Sequence, residues 1–462
     1  MTEDKVREEC GVFGIFSYGK ESVSEDVYCG LIALQHRGQE SAGISVTDRD
    51  GEKGNIVTHK GMGLVSEVFD AETLGKLKGN IGIGHVRYST TGESIISNAQ
   101  PIAMNYIKGS LALAHNGNII NASELKETQM RRGLAHFGTS DSEVIAYEII
   151  FDRVNSDSIE EAVRKTSGKI KGGYALVIMS SRKLVAVRDP LGIKPLVLGK
   201  MGDDYIIASE SAAIISVGGE IVRDVKPGEI ISISSEGIKS DLSLCGKEQA
   251  HCVFEYIYFA RCDSVIDKVE VHEARVRAGQ ALARRAPVDA DIVAGVPDSG
   301  LAAAEGYAME SGIRFRHIFH KNSYVGRSFI KPTDRERKIA VHMKLNVLRD
   351  VVKDKRIVII DDSIVRGNTR GNTMREIIET LKAYGAKEVH VRISSPPFLH
   401  PCFYGTDVPG SGELIASEHS DKEVCEAIGA DSLSYLHLED LDEMAAGIPL
   451  CKACFDGNYP VR

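Results

Sequence analysis

Four sites in the first third of the chain carry residue types that could together support catalysis at a cysteine nucleophile. Cys10 stands immediately before a strand-like run, and Arg87 ends a second such run. Asn116 and Gly117 end a third run, and Asp141 lies near the start of a helix-like segment. A lone cysteine at a strand start is usually a small buried hydrophobic residue. An accompanying amide, arginine and acid favour a catalytic role, because covalent catalysis on an amide uses such groups.

Arg87, Asn116, Gly117 and Asp141 lie in polar motifs at 84–92, 114–118 and 138–143, and a further polar motif lies at 34–40. Together they resemble the glutamine-hydrolysing domain of the N-terminal-nucleophile amidotransferases, and the resemblance covers most of residues 10–240. In that family the mature chain begins with the cysteine. The resemblance therefore implies that residues 1–9 are a propeptide and that the chain is cut between Glu9 and Cys10.

The resemblance also implies roles around Cys10. A free α-amino group has a pKa of ~8, so it can accept the thiol proton near neutral pH without a separate histidine. Cys10 would attack the side-chain amide of glutamine, while the Asn116 side chain and the Gly117 N–H stabilise the oxyanion. The residues around the glutamine would be Arg87 on its α-carboxylate, Asp141 on its α-ammonium, and Arg37 and Thr90 close by. Taken singly, Arg87 or Asp141 would favour a fold-stabilising ion pair instead.

A phosphate-binding pattern dominates the second half of the chain. An apolar strand-like run ends in Asp361 and Asp362, followed by a loop of small and polar residues and then a helix. Backbone N–H groups at such a turn bind phosphate together with the helix dipole, and the acids can accept hydrogen bonds from ribose hydroxyls. The pattern resembles the signature of the type I phosphoribosyltransferases. A second loop, at 293–300, resembles the pyrophosphate loop of that family.

This second resemblance implies a site for phosphoribosyl pyrophosphate and Mg²⁺. The metal would lie at Ser299, Asp361 and Asp362, since Mg²⁺ prefers oxygen ligands and retains water. Between residues 321 and 344, seven Lys or Arg accompany two acids. Such a run is either a solvated face or, here, a lid over an anionic pyrophosphate. The expected substrate-binding residues are Asp298, Ser299, Gly300, Lys321, Tyr324, Arg327, Asp361, Asp362, Ser363, Val365, Arg366, Gly367, Asn368 and Thr369.

The chain has nine cysteines, an odd number that argues against a scaffold built only of disulfides. Cys451 and Cys454 form a C-x-x-C pair, which alone could be redox-active, metal-binding or incidental. Cys252 and Cys402 match the two other ligand positions of the iron–sulfur branch of the resembled family. Four thiolates can hold Zn²⁺ or a 4Fe–4S cluster, and ligand chemistry leaves both open. The resemblance favours a structural 4Fe–4S cluster.

The elements predicted to position these residues differ between the two halves. The first half has short strands punctuated by glycine and few, long helices, including 27–36 and one opened by a capping box of Ser140 and Glu143. From residue 291 onward strands alternate with helices, which is typical of a parallel sheet. With the resemblances, we expect an α+β N-terminal-nucleophile hydrolase domain at 10–240, a four-layer αββα sandwich. An α/β type I phosphoribosyltransferase domain with a mostly parallel sheet would follow at 250–440, and residues 441–462 would carry two cluster cysteines.

Composition limits the classes of function. The 462 residues carry a net charge of −9, and 26% of them are charged. This acidic balance argues against a general nucleic-acid binder. No apolar run approaches the ~18 residues of a membrane span, and the short, charged N-terminus differs from a secretory signal. We therefore expect a cytoplasmic protein that binds neither nucleic acid nor membrane.

Two active sites in one chain imply that ammonia passes between them. The whole chain resembles the glutamine-dependent amidotransferases that act on phosphoribosyl pyrophosphate at the start of purine synthesis. The resemblance implies that ammonia displaces pyrophosphate at C1, giving 5-phosphoribosylamine. It also implies feedback by purine nucleotides and a homo-oligomer, either a tetramer or a dimer. The aromatic segment 254–261 could line an ammonia passage or form the core of a domain interface.

Two other interpretations compete with this one. A glucosamine-6-phosphate synthase shares the first domain, but the phosphate-binding pattern at Asp361 and Asp362 argues against a sugar isomerase half. A non-enzymatic phosphoribosyl-binding regulator could lose Cys10, Arg87 or Asn116 without penalty, yet all three are present.

Overall fold

The computed structural model describes residues 9–47, 55–88, 92–322, 345–365, 373–408 and 410–462. Several expected site residues lie outside this part of the chain, as does most of the expected lid: Thr90, Tyr324, Arg327, Arg366, Gly367, Asn368 and Thr369. The described residues fold around three large sheets, which we call sheets A, B and C.

Sheets A and B are antiparallel and form two stacked layers in the first half of the chain. In spatial order, the strands of sheet A are Glu220–Asp224, Val197–Met201, Asp204–Ala208, Gly11–Phe16, Ile81–Arg87, Ser41–Thr47 and Val57–Met62. Those of sheet B are Gly237–Asp241, Ile230–Ser234, Leu184–Arg188, Gly172–Ser180, Gly109–Ile119 and Ile102–Tyr106. Val12 and Phe16 of sheet A pack in one core with Ala114 and Val177 of sheet B.

Helices cover the outer face of each sheet and complete the predicted four-layer αββα sandwich. Because side chains alternate along a strand, Phe13 and Ile15 face away from sheet B and pack with Val27 and Leu31 of a covering helix. Ile145 packs against the outer face of sheet B. The helices are Ser24–Ala33, Val65–Val68, Ala71–Lys76, Ala122–Arg131, Asp141–Val154, Ile159–Ser167 and Ser211–Ser216, with a 3₁₀ turn at Ile96–Asn98.

These helices are shorter and more numerous than the few, long helices that we expected. The first helix begins and ends three residues before the predicted range of 27–36, since Glu25 and Asp26 already occupy its first turn and favour the helix dipole. Residues 35–38 are thereby free to form the turn that presents Arg37.

The predicted capping box at Ser140 is half wrong. The Ser140 hydroxyl does cap the helix, accepting from the N–H two residues further on at 3.2 Å. The Glu143 carboxylate instead accepts from the N–H groups of Phe137 and Gly138, at 3.0 and 2.9 Å. Ser140 N–H donates to the Asn98 side chain at 3.2 Å, so a more distant residue has taken the place of Glu143.

Sheet C is parallel and is covered by helices on both faces, as predicted. Its strands, in spatial order, are Ile292–Gly295, Arg356–Asp361, Glu388–Ile393 and Ser432–Tyr435. Its helices and those beside it are Val271–Arg285, Leu301–Ser311, Arg349–Val352, Thr373–Ala383, Ile415–Glu418, Asp421–Ile428, Asp440–Met444 and Ala453–Asp456, with a 3₁₀ turn at Ser411–Glu413. Met374, Ile377, Ile378 and Leu381 form the buried stripe that their spacing predicts.

Short strand pairs join the remaining segments: His251–Cys252 with Leu450–Cys451, Val265–Ile266 with Val269–Glu270, and Phe319–Lys321 with Leu345–Val347. None of the helices in the described residues has the length and apolar character that a membrane crossing requires.

Two glycines let the helices Val271–Arg285 and Leu301–Ser311 touch backbone to backbone. A Cβ atom on Gly279 would lie 1.8 Å from the carbonyl oxygen of Ala303, and one on Gly306 would lie 1.9 Å from that of Val276. The expected loop at 293–300 is shorter than predicted, because its first three residues complete the strand Ile292–Gly295. The second helix begins directly after the remaining loop, at 296–300, with Gly300 as its N-cap. The close helix contact therefore fixes the position of that loop.

Gly306→Ala should destabilise the protein by about 2–3 kcal/mol, because the added methyl group forces apart two backbones that cannot rotate away. Urea denaturation measures this change. Gly75→Ala is the matched control, since Gly75 lies in a helix with no atom within 4 Å of the added Cβ. The control should be stabilised by up to about 1 kcal/mol. Equal unfolding midpoints for the two variants would contradict the proposed helix contact.

Candidate active sites

Cys10 lies at the start of the central strand of sheet A, beside the strand Ile81–Arg87. Its side chain is 7% exposed, and Sγ donates to the carbonyl oxygen of Tyr88 at 3.5 Å. Burial is the main cause that raises the pKa of this thiol to about 11, so the thiol is neutral at physiological pH. The nitrogen of Cys10 is in the peptide bond to Glu9, so a free α-amino base requires cleavage of that bond.

Asn116 and Gly117 have the properties expected of an oxyanion site. The Asn116 side chain is wholly buried, and among the described residues neither its oxygen nor its nitrogen has a hydrogen-bond partner. Leaving such a group unpaired costs ~1–3 kcal/mol, which suits an amide that is paired only when a substrate is bound. Gly117 has a φ of +132°, and a Cβ there would lie 2.0 Å from the carbonyl oxygen of Gly173. Other residues are therefore excluded at this position.

A buried polar network fixes the strand just before Asn116. His115 Nδ1 lies 3.0 Å from the Ser142 hydroxyl, and the His115 N–H donates to the Gln100 side chain at 2.8 Å. His85 Nε2 lies 2.9 Å from the His115 carbonyl oxygen, which identifies Nε2 as the protonated nitrogen. Burial lowers the pKa of His85 to about 3, so the ring remains neutral. This network is not among the predicted features, although paired histidines on neighbouring apolar strands were a signal for it.

Arg87 and Asp141 are both buried near Cys10, and their charges act on its thiol. Arg87 Nη1 donates to a Glu40 carboxylate oxygen and to the Glu93 carbonyl oxygen, both at 3.3 Å. Asp141 Oδ2 accepts from the Ile119 N–H at 3.0 Å. The structure thus places near Cys10 both the arginine and the acid that the resemblance assigns to the two charged ends of glutamine.

Arg37, which the resemblance places near the glutamine, contacts the backbone of Cys10. Its guanidinium is fully buried, and Nε donates to the Cys10 carbonyl oxygen at 3.1 Å. Nη1 donates to Glu210 at 2.6 Å and to Glu255 at 2.9 Å, while Nη2 donates to Glu255 at 2.6 Å and to Glu9 at 3.3 Å. In the chain with Glu9 attached, Arg37 therefore holds the backbone of the nucleophile.

These residues belong to a buried ionic cluster, consisting of Glu9, Arg37, Lys194, Glu210 and Glu255. Lys194 Nζ donates to Glu9 Oε1 at 2.5 Å, and neither side chain is exposed. Burial opposes ionisation of Glu9, but the Lys194 and Arg37 cations outweigh it and keep its pKa below the ordinary value. Burial raises the pKa of Glu255 to about 7. The sequence signal that we missed is a charged residue inside an apolar run, as at Lys194 and Glu255.

The acids of the second site lie at the carboxyl end of a central strand of sheet C. Asp361 and Asp362 are buried, Ser299 Oγ lies 3.5 Å from Asp361 Oδ1, and the Ser363 hydroxyl donates to Asp362 at 2.5 Å. A Cβ on Gly300 would lie 2.2 Å from the Ile360 carbonyl oxygen, so the loop at 296–300 crosses directly over the strand end. Carboxyl ends of parallel strands are where α/β sheets bind ligands.

Three other residues expected to bind phosphoribosyl pyrophosphate, Lys321, Asp298 and Val365, lie outside this cluster of acids and hydroxyls. Lys321 Nζ pairs with the Asp298 carboxylate, and both side chains are partly exposed. The Val365 side chain is wholly buried in the apolar core, so this residue can contribute only its backbone to the expected phosphate site.

The four predicted cluster cysteines meet around one cavity. Cys252 and Cys451 are paired across a short parallel strand pair, and Cys402 and Cys454 line the same cavity. Burial raises the pKa of Cys451 to about 12 and those of Cys252 and Cys454 well above the ordinary value. In the part of the chain that the structure describes, no three His, Cys, Asp or Glu side chains are close enough to hold a metal ion as they stand.

The aromatic segment at 254–261 forms a π-helical turn, Glu255–Phe259, within the core of the transferase domain. Phe254 packs edge-on against Phe398, with ring centroids 5.3 Å apart. Arg275 donates to the carbonyl oxygens of Tyr256 and Ala260 at 2.8 and 2.7 Å. These contacts match the core interpretation of the segment.

Fold and sites together define a class, a glutamine amidotransferase domain joined to a phosphoribosyltransferase domain. The family model for glutamine amidotransferase domains matches residues 85–216, and the one for phosphoribosyltransferase domains matches residues 267–394.

Curated relatives and solved structures match both domains together. The amidophosphoribosyltransferases of Methanothermobacter thermautotrophicus and Bacillus subtilis are each 46% identical to this chain, over 100% and 99% of it and over 96% and 95% of their own lengths. The structure of glutamine phosphoribosylpyrophosphate amidotransferase from B. subtilis, complexed with ADP and GMP, is 45% identical over 98% of both chains, with a TM-score of 0.89. A structure described as the allosteric regulatory enzyme of purine biosynthesis is also 45% identical, over 98% of this chain and 96% of its own, with a TM-score of 0.90. The chain therefore belongs to the amidophosphoribosyltransferase family, as its motifs indicated.

Proposed function

We propose that this chain transfers the amide nitrogen of glutamine to C1 of 5-phosphoribosyl 1-pyrophosphate. The products are 5-phosphoribosylamine, glutamate and pyrophosphate, and the reaction is the first step of de novo purine synthesis in the cytoplasm. The observation that carries the proposal is that Cys10, beside Arg87 and Asp141, and the acid pair at the end of sheet C lie in one chain of this family.

The first half-reaction takes place at Cys10. Hydrolysis of the Glu9–Cys10 bond frees the α-amino group, which accepts the thiol proton. Sγ then attacks the glutamine side-chain carbonyl, ammonia leaves, and water hydrolyses the resulting thioester. The Asn116 amide and Gly117 N–H bind the oxyanion, and one such donor typically contributes roughly 2.7–4 kcal/mol in the transition state. Arg87 and Asp141 bind the α-carboxylate and α-ammonium of the substrate.

The second half-reaction takes place at the end of sheet C. Asp361 and Asp362 accept hydrogen bonds from the ribose hydroxyls, and the backbone after them binds the 5-phosphate. Oxygen donors at Ser299 and Asp361, 3.5 Å apart, suit a hard cation, so these residues and Asp362 would hold Mg²⁺. Bound there, Mg²⁺ would offset the negative charge of the leaving pyrophosphate. Lys321 and the basic residues that follow it complete the anion site.

Ammonia must reach the second site unprotonated, because ammonium has no lone pair with which to attack C1. We propose that it passes inside the protein, along the segment 254–261. Two contacts support this route. Glu255 of that segment binds Arg37, and Arg37 in turn holds the Cys10 carbonyl oxygen.

We propose that the four cysteines hold a 4Fe–4S cluster with a structural role. Four sulfurs spread around one cavity suit a polynuclear cluster, and thiolates are the ligands that such clusters use. Binding would release the thiol protons and tie the C-terminal segment to the transferase domain.

Protein purified without oxygen should contain about four irons and four sulfides per chain, measured by metal and acid-labile sulfide analysis. Cys454→Ser should lose them because it removes a ligand. Cys29→Ser should retain them, since Cys29 is exposed and remote from the cavity. Stoichiometric zinc without sulfide would contradict the cluster.

We propose that purine nucleotides inhibit the enzyme by feedback. We also propose that the active form is a homo-oligomer, either a tetramer or a dimer. The B. subtilis relative, solved as a complex with ADP and GMP, supports the first of these proposals.

Cys10→Ala should reduce glutamate release from glutamine by at least about a thousandfold, because the nucleophile is lost. Formation of phosphoribosylamine from added ammonia should persist, since the second site is untouched. Coupled assays of glutamate and pyrophosphate measure the two activities separately. Cys245→Ala, a partly buried cysteine that the reaction does not use, is the control. Undiminished glutamate release by Cys10→Ala would overturn the assignment.

A further inference from the structure

The carboxylate of Glu9, the residue before the proposed cleavage site, is held inside the protein by three residues that are distant in sequence, and Arg37 Nη2 donates to its Oε2 at 3.3 Å. Glu9 is 1% exposed. Lys194 Nζ donates to Oε1 at 2.5 Å, and the Thr406 hydroxyl donates to the same oxygen at 2.7 Å. A buried carboxylate is tolerated only when it is paired in this way. These contacts therefore fix the position of the Glu9 side chain, and with it the adjoining peptide bond.

Lys194 and Thr406 also line the cavity surrounded by the four cysteines. Thr406 follows the candidate ligand Cys402 by four residues, and Cys252 and Cys402 line the same cavity as Lys194. The same two side chains thus face the cleavage site on one side and the proposed cluster on the other.

The segment between Cys402 and Thr406 also touches the strand Gly109–Ile119, which carries Asn116 and Gly117 and which we call the oxyanion strand. The Phe403 carbonyl oxygen accepts from the Asn118 side chain at 2.8 Å. A Cβ on Gly405 would lie 2.9 Å from the backbone carbon of Gly117. The segment 402–406 of the transferase domain therefore makes three kinds of contact. It lines the cysteine cavity, touches the oxyanion strand and binds Glu9, the residue before Cys10.

We propose that Lys194 and Thr406 are positioning residues for cleavage of the Glu9–Cys10 bond, and that the group bound by the four cysteines holds them in place. The proposal rests on the proposed function, which requires cleavage at this bond and a cluster at the cysteines. In the cleavage itself, the hydroxyl of one water is added to the Glu9 carbonyl carbon and its remaining hydrogen to the Cys10 nitrogen. Once residues 1–9 leave, Lys194 loses the Glu9 carboxylate and becomes the counter-ion of the cysteine-bound group.

The test follows cleavage in full-length protein synthesised without oxygen in the presence of iron and sulfide, with intact mass spectrometry as the readout. Thr406→Val should slow cleavage about tenfold or more, because it removes a hydrogen bond to a charged group while keeping the side-chain shape. Thr406→Ser should restore the rate, since it restores the hydroxyl. Thr166→Val is the matched control, as the buried Thr166 hydroxyl donates to Asp152 at 2.8 Å away from both sites. Its cleavage rate should be that of the parent.

Lys194→Met should slow cleavage and, in chains that are cleaved, should lower the bound iron, whereas Lys194→Arg should retain both. Omission of iron should slow cleavage of the parent chain. If Thr406→Val and Lys194→Met are cleaved as fast as the parent chain, or if the parent is cleaved equally with and without iron, this inference is overturned. The proposed function is not affected by either result. A parent chain that is never cleaved would overturn the cleavage step of the proposed function, and this inference with it.

Discussion

The structure depends on one buried guanidinium, that of Arg37. It binds the carbonyl oxygen of the nucleophile Cys10 and, on its other edges, Glu210 and Glu255. Glu255 belongs to the transferase half, so a single side chain sets the position of the nucleophile relative to the second domain. Removing one partner of such a buried ion pair typically costs ~3–5 kcal/mol, because the other charge is left unpaired. The geometry of the first active site is thus defined partly by residues of the second domain.

Further contacts extend this constraint along the interface. Glu210 accepts from the Arg261 N–H and from the Ser264 hydroxyl, at 3.0 and 2.8 Å. Arg188 donates to both oxygens of Asp267, at 2.7 and 2.8 Å. The interface is therefore held by paired charges that are largely buried. Such pairs have specific geometry, so they fix the two domains in one arrangement, as transfer of ammonia between two sites requires.

The sequence was informative wherever chemistry depends on residues that are close along the chain. The acid pair at Asp361 and Asp362 lies at the end of its own strand, of which Asp361 is the last residue, and the strand that begins after Cys10 has the predicted boundaries. The sequence did not reveal the buried ionic cluster, because its partners are far apart: Glu9 and Thr406 are separated by 397 residues. The half-wrong capping box at Ser140 has the same cause, since Asn98 lies 42 residues away. Pairing across such distances is decided by the tertiary fold, which local patterns do not encode.

The central claim is that two sites in one chain are coupled through this interface. The most direct measurement is the release of glutamate from glutamine by protein prepared without oxygen, with Mg²⁺, in the presence and absence of phosphoribosyl pyrophosphate. The account predicts that the sugar phosphate strongly increases glutamate release and that pyrophosphate appears alongside the glutamate. Equal glutamate release under both conditions would contradict it and would leave a glutaminase whose second domain acts independently.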